Sequence, residues 1–247
     1  MNKQMKKLFL AIIAFSFIAQ ASAQKFGGGL EVGVSYNWLN IDSKNAEATG
    51  GRIGFNYGAF LDMNLSDNFA FTTGLNVNNI GGTVKYDNPI NLTWDGVEYA
   101  WMKDGTENPE VFYKVSYLEI PLSIKGKTEE IGYITYFGRL GASPSLAISS
   151  KADIIHGKAI ESTNDDGSFN YVKDKEDLSI GENINLFNIG WHVGGGIEYS
   201  LGGSTSVIVE ALYQQNFLSV VDDNVTGTYP TVGVKNSLIV LKAGIKF

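Results

Sequence analysis

Apolar side chains recur at every second position in eight separate stretches of this chain, and each stretch is long. They fall at about 27–38, 51–64, 69–80, 112–126, 131–149, 185–200, 205–217 and 236–247. A period of two marks a strand with one greasy and one wet face. The last stretch shows it most cleanly: Ile239, Leu241, Ala243, Ile245 and Phe247 form one row, while Lys242, Gly244 and Lys246 form the other. In the first, Leu30, Val32, Val34, Tyr36 and Trp38 oppose Gly29, Glu31, Gly33, Ser35 and Asn37. Soluble strands usually stop at about five or six residues, whereas about 9–11 tilted residues cross membrane hydrocarbon. The lengths therefore point to a wall that spans a bilayer. For any one stretch alone, the alternative is a half-buried strand of a soluble sandwich.

The connections alternate as well. Short ones lie near 66–68, 127–130 and 201–204, and long ones near 39–50, 81–111, 150–184 and 218–235. Sorting by parity is foreign to a sandwich but natural to an up-and-down barrel. The expected fold is all-β: an eight-stranded antiparallel transmembrane β-barrel with short periplasmic turns and long extracellular loops. Both termini are then periplasmic. Turn signals at Asn88-Pro89, Trp94-Asp95-Gly96 and Asn108-Pro109 suggest that the longest loops continue as hairpins beyond the membrane.

The N-terminus carries Lys3, Lys6 and Lys7, an apolar run from Leu8 to Ala19, and the small-residue site Ala21-Ser22-Ala23. This pattern predicts a cleaved signal peptide at 1–23, too short to span as a helix, and leaves 24–247 as one barrel domain. The chain has no cysteine, so neither a lipidated Cys nor a disulfide framework is possible. Its formal charge of −7 becomes −10 on cleavage, since the leader holds three lysines and no acid. Such acidity argues against nucleic acid as a partner. The 29 Gly, 14 Phe and 12 Tyr suit a curved wall with aromatic girdles.

Tyr117-Leu-Glu-Ile-Pro-Leu-Ser-Ile-Lys125 resembles the "Y-L-x-I-P-L-x-x-K" strand of the Bacteroidetes-type outer-membrane β-barrel family, described as PorT-like or OmpA/OmpX-like. The Gly-rich stretch from Phe26 to Tyr36 and the Gly138–Pro144 segment are similar to that family too. The resemblance spans the mature chain and implies an outer-membrane, Gram-negative location, with outer-membrane lipid and lipopolysaccharide as surroundings. Some PorT-like members serve a secretion system, and the family is functionally mixed. It also implies that Phe247 is the C-terminal signal read by the barrel-assembly machinery. Pro121, which cannot donate to a ladder, suits an irregular spot in the wall.

The inward rows bring together Glu31, Arg52, Asp62, Glu119, Arg139, Glu198, Glu210, Lys242 and Lys246. The interior of an eight-stranded barrel is just wide enough for side chains to fill, and charges shut away from water must pair. Arg52, Arg139 and Lys242 are expected to meet Glu31, Glu119, Glu198 and Glu210 in a lumen ion-pair network, structural in role. A narrow or gated ion path is the alternative. The two histidines are the catalytic candidates of an enzyme reading: His156 beside Asp153 in a loop, and His192 inward near Glu210. Neither has a recognisable serine motif, so no catalytic residue is expected. No cofactor or metal is expected either: Gly27–Gly29 and Gly194–Gly196 open no helix, and Asp165-Asp166 and Asp222-Asp223-Asn224 lack calcium-loop spacing. The glycine runs read instead as places where aromatics lie on bare backbone. Tyr36, Trp38, Tyr113, Tyr117, Tyr213 and Phe217 are expected at the outer rim, and Trp94, Tyr99 and Trp101 either meet a partner or pack the loop on itself.

Three functions follow in order: a non-enzymatic structural or adhesive barrel with recognition loops, a small porin or secretion-system accessory, and a soluble barrel carrying a lipophilic ligand. The last fails if the outward rows are apolar all the way round.

Overall fold

A strand with β-branched and aromatic residues at alternate positions buries one face and exposes the other, and closing eight such strands on themselves leaves no edge. The computed structural model takes this form. It describes residues 26–163, 167–222, 225 and 233–247. The expected signal peptide at 1–23 and Asp165, Asp166, Asp223 and Asn224 lie outside the described residues.

The strands are β1 (Phe26–Asp42), β2 (Ala46–Asn64), β3 (Phe69–Tyr86), β4 (Ile90–Trp94), β5 (Val97–Met102), β6 (Glu110–Glu119), β7 (Leu122–Lys127), β8 (Ile134–His156), β9 (Lys158–Thr163), β10 (Phe169–Lys173), β11 (Leu178–Ser179), β12 (Phe187–Gly202), β13 (Thr205–Asn216) and β14 (Gly233–Lys246). The ring runs β1-β2-β3-β6/β7-β8-β12-β13-β14 and returns to β1, every pairing antiparallel. One wall position is shared by β6 and β7, which part at Ile120-Pro121. There the Ile120 N–H still donates to the Pro144 carbonyl at 3.0 Å, so the wall stays shut. At the seam, Phe247 and Gly28 exchange backbone hydrogen bonds of 2.9 and 3.2 Å. The β2–β3 ladder is interrupted between Gly51 and Tyr57.

Register merges the outward rows into a belt. Val34 lies between Leu241 and Phe55, and Leu241 between Val34 and Ala211. Across the ring, Leu30, Ile53, Leu75, Ile124, Leu140, Val193, Val209 and Ile239 are all exposed. Each of the eight wall positions therefore presents apolar side chains outward, which excludes a soluble ligand-carrying barrel and fits acyl chains. Aromatics rim the belt at both ends. Tyr133 and Tyr199 pair near the short turns, and Tyr36, Trp38, Tyr213 and Trp191 form a chain of ring contacts of 5.4–6.2 Å toward the loops.

The strands outrun the bilayer on the loop side. The expected long connection at 39–50 is mostly strand, because β1 and β2 run on to a link of residues 43–45. The next two loops do continue as hairpins, β4–β5 and β9–β10. They join through β5–β9 into a second, four-stranded sheet, β10-β9-β5-β4, at the barrel mouth.

Leu241→Arg places a charge at the centre of the belt and is expected to cost about 2–4 kcal/mol. Glu98→Arg, on the exposed cap, should cost under about 0.5 kcal/mol. Urea titration of protein refolded into lipid measures both; equal losses would contradict a lipid-facing belt.

Candidate functional site

The inward rows fill the lumen in two storeys. In the half nearer the short turns, five carboxylates (Glu31, Asp62, Glu119, Glu198, Glu210) share the interior with Lys125, Arg139, Lys242 and Lys246, and Lys127 stands at its mouth, bonded to Asn64 at 2.9 Å. This storey is therefore formally neutral. Lys125 of β7 is ion-paired with both Asp62 and Glu198, and Lys246 reaches the same two carboxylates at 3.0 and 3.1 Å. Two ammonium groups thus alternate with two carboxylates, and Thr72 adds a hydroxyl donor to Asp62 at 2.6 Å. Lys242 Nζ lies 2.6 Å from Glu31, and Arg139 Nε lies 2.6 Å from Glu210. The Arg139 contact is out of hydrogen-bonding line, so it is a charge contact rather than a directed bond. Taking an ion from water costs several kcal/mol, which only close pairing offsets.

Two expected members of the network stand outside it. Among the described residues Glu119 meets no cation; it accepts from the amides of Asn78 and Gln214, each at 2.7 Å, because those residues occupy its level of the lumen. Arg52 donates from Nη1 to the Ile80 carbonyl at 2.6 Å, repairing the β2–β3 ladder where it is interrupted. Conversely, Lys125 is central, although it was not among the expected members. Its signal was parity: it lies three inward positions after Glu119, past Pro121 and Ser123.

His192 is almost fully buried, but not beside Glu210 as expected. Ser123 Oγ lies 2.6 Å from its Nε2 and Ser143 Oγ 2.9 Å from its Nδ1. A neutral imidazole has one donor and one acceptor nitrogen, so one serine accepts and the other donates, and the ring is satisfied. Both ring nitrogens are thus occupied, and among the described residues no carboxylate bonds the ring. His156, the last residue of β8, lies 3.2 Å from Glu107 rather than on Asp153.

Close approach explains two of the glycines. A methyl on Gly29 would lie 2.6 Å from Phe60 Cζ, and one on Gly196 2.9 Å from Phe137 Cζ. Both rings lie on bare backbone, as the glycine runs implied, and Lys125 Nζ stands 4.2 Å over the Phe137 ring. The gap between Glu31, Asn56, Asn76, Asn78 and Lys242 has no room for a water-sized sphere.

The storey toward the loops is chiefly apolar, with Asn188, Asn216 and Asn236 buried among its side chains. Leu39, Ile80, Val84, Val111, Val115 and Leu238 fill it, and the second sheet closes over it with Ile90, Leu92, Trp101, Ala159 and Val172. Tyr113 and Tyr117, expected at the outer rim, point inward instead. They share the parity of Glu119, and the apolar storey accommodates their rings. Tyr113 bonds the Tyr86 hydroxyl at 2.7 Å, and Tyr117 donates to the Asn185 carbonyl at 3.1 Å. Trp101 is fully buried, and Trp94 stacks on Tyr99 with centroids 3.5 Å apart, so these aromatics pack the cap on itself. A surface tether holds the following segment: Lys114 bonds Asp177 at 2.8 Å and Asp153 at 2.7 Å. The Lys114 hydrogen bond draws the Asp177 carboxyl below its ordinary 3.8. A lowered folded-state value means that this tether contributes above the unfolded value and is lost as pH falls through the folded one. Among the described residues, no cluster of His, Asp and Glu is arranged to hold a metal.

Two predictions follow from these contacts. Lys125→Met strands buried carboxylates and should cost about 3–5 kcal/mol, while Glu119→Gln keeps an acceptor for both amides and should cost about 1 kcal/mol or less. Urea midpoints compare them; equal losses would contradict the assignment. In Lys114→Met, the NMR titration midpoint of the Asp177 carboxyl should move up toward its ordinary value, and an unmoved midpoint would contradict the tether.

The sequence matches the family model for an outer membrane protein beta-barrel domain over residues 18–222. No curated protein matches it significantly. Among solved structures the chain is similar to Ail, the attachment invasion locus protein of Yersinia pestis, in complex with the heparin analogue sucrose octasulfate. That likeness has 12% identity and a TM-score of 0.40, covering 91% of this chain and 100% of that one. It is also similar to the outer membrane protein OprG from Pseudomonas aeruginosa, with 11% identity, TM-score 0.41 and coverage of 90% and 94%. Neisserial surface protein A gives 15% identity, TM-score 0.37 and coverage of 88% and 95%. Likenesses this loose establish nothing alone; the family match, over most of the chain, does. The chain belongs to the outer membrane protein beta-barrel domain family, and its place is the outer membrane.

Proposed function

We propose that this is a non-enzymatic barrel whose work is done by its loop-end surface, structural or adhesive in kind, on a wall that does not conduct. The single observation that supports this is the double filling of the interior: a neutral charged storey, then an apolar storey under a folded cap. A pore needs a continuous polar path, and among the described residues these two fillings stand in series across it. In this reading the leader 1–23 is removed, both termini and the short turns are periplasmic, and the cap faces outward. The belt then sits among outer-membrane lipid and lipopolysaccharide, and Phe247 is read by the barrel-assembly machinery. The lumen residues Glu31, Asp62, Lys125, Glu198, Lys242 and Lys246 hold the wall together rather than pass a solute.

A finer placement in the Bacteroidetes-type, PorT-like branch draws support from the Tyr117–Lys125 segment. Its inward residues Tyr117, Glu119, Ser123 and Lys125 each engage a partner from another strand or loop. The motif in this chain therefore encodes lumen packing, which speaks for shared architecture more than shared activity. Service to a secretion system is the second reading; co-purification with secretion components from envelope extracts would favour it.

In planar bilayers the refolded full chain should give no stable single-channel steps. Reproducible conductance that survives the loss of aggregates and scales with protein added would overturn the closed-lumen reading.

A further inference from the structure

A closed barrel removes its sheet edges, but the cap sheet outside the ring brings two back, and they differ. Along β4, the Asn183 side-chain carbonyl accepts the Thr93 N–H at 2.8 Å, so the 3₁₀ turn at 181–183 covers that edge. On the other side β10 is the last strand, and among the described residues no strand pairs with its far side. Alternation sets its faces: Val172 is buried in the cap, while Phe169 and Tyr171 are 49% and 42% exposed on the opposite face. Their rings lie 6.4 Å apart, beside the exposed Ile160 of β9. An edge that no described strand covers, bearing exposed aromatics, is a template for another extended chain.

Charge selects the occupant. The described parts of the loop end (39–50, 81–115, 150–186 and 217–235) carry fifteen Asp and Glu against nine Lys, while the polar storey of the lumen is balanced. The two lysines nearest the aromatics, Lys158 and Lys173, are both ion-paired to Asp104, and Lys158 also lies 4.7 Å over the Tyr171 ring. Glu161 and Asp174, both exposed, border the strand. Such a face repels polyanions and attracts basic segments.

We propose that the β10 edge is a β-augmentation site for an extended cationic segment of a partner protein. Backbone pairing supplies the affinity, apolar residues of the segment lie on Phe169, Tyr171 and Ile160, and basic residues face Glu161 and Asp174. The inference rests on the reading of the loop end as a recognition surface.

The probe is a fluorescein-labelled octapeptide alternating valine and lysine, titrated by anisotropy against the full chain refolded in zwitterionic micelles. Binding should weaken at least tenfold when alternate peptide nitrogens are methylated, and again when glutamate replaces lysine. It should also weaken at least tenfold in Tyr171→Pro and in the milder double variant Phe169→Ser, Tyr171→Ser. Heat-modifiable gel migration checks that both variants remain folded. Four results overturn the assignment: no binding, binding indifferent to N-methylation, undiminished binding in both folded variants, or a β10-dependent dimer of this chain without peptide. Conductance is measured separately, so failure here leaves the closed-lumen reading standing, and a conducting barrel leaves a β10-dependent peptide result readable.

Discussion

Every second residue of this wall must face acyl chains, and the intervening half must therefore fit a lumen only a few side chains wide. The rest of the structure depends on that partition. Once Leu30, Val34, Leu140 and Leu241 look outward, Glu31, Arg139 and Lys242 have nowhere to go but inward. Charges confined there survive only by meeting one another at hydrogen-bonding distance, which the Lys125–Asp62–Lys246–Glu198 cycle and the Lys242–Glu31 pair achieve. The polar storey is thus a consequence of the greasy belt rather than a separate invention. Ring closure completes it, because backbone amides in hydrocarbon must be satisfied within the wall.

The same partition explains where the net charge sits. With five cations against five carboxylates the polar storey contributes nothing, so the acidity of the chain lies chiefly at the loop end. Above the bilayer the rule changes. The outward face is wet again, Lys114 and Asp153 pair on it, and the interior becomes apolar enough to bury Trp101 and Tyr113. The cap is therefore an ordinary hydrophobic core seated on a membrane-spanning one with a polar filling.

Legibility followed the reach of the signal. Strand parity, strand number and the neighbour-to-neighbour ring were readable, since period two is local and sequential strands pair. The β1–β2 extension through 39–50 was not, because beyond the bilayer the outer face loses its apolar row and the alternation fades while the strand continues. Tyr113 and Tyr117 were misplaced by an expectation of rim aromatics, although their parity with Glu119 already put them inside. Lys125 was readable by that parity. The partners of Arg52 and Glu119 were not, since they depend on a ladder interruption and on which amides share a level. The cap sheet joins Trp101 to Ala159, residues from different loops with no shared local pattern, and only the folded chain brings them together.

The absence of cysteine makes the central claim directly testable. Single cysteines placed one at a time from 238 to 246 can be spin-labelled in protein refolded into bilayers, and their collisions with oxygen and with a water-soluble nickel chelate compared. The account predicts strict alternation, with 239, 241, 243 and 245 accessible to oxygen in lipid and 240, 242 and 244 shielded from both reagents. Nickel accessibility at the odd positions, or no period of two, would contradict a wall whose greasy row faces acyl chains.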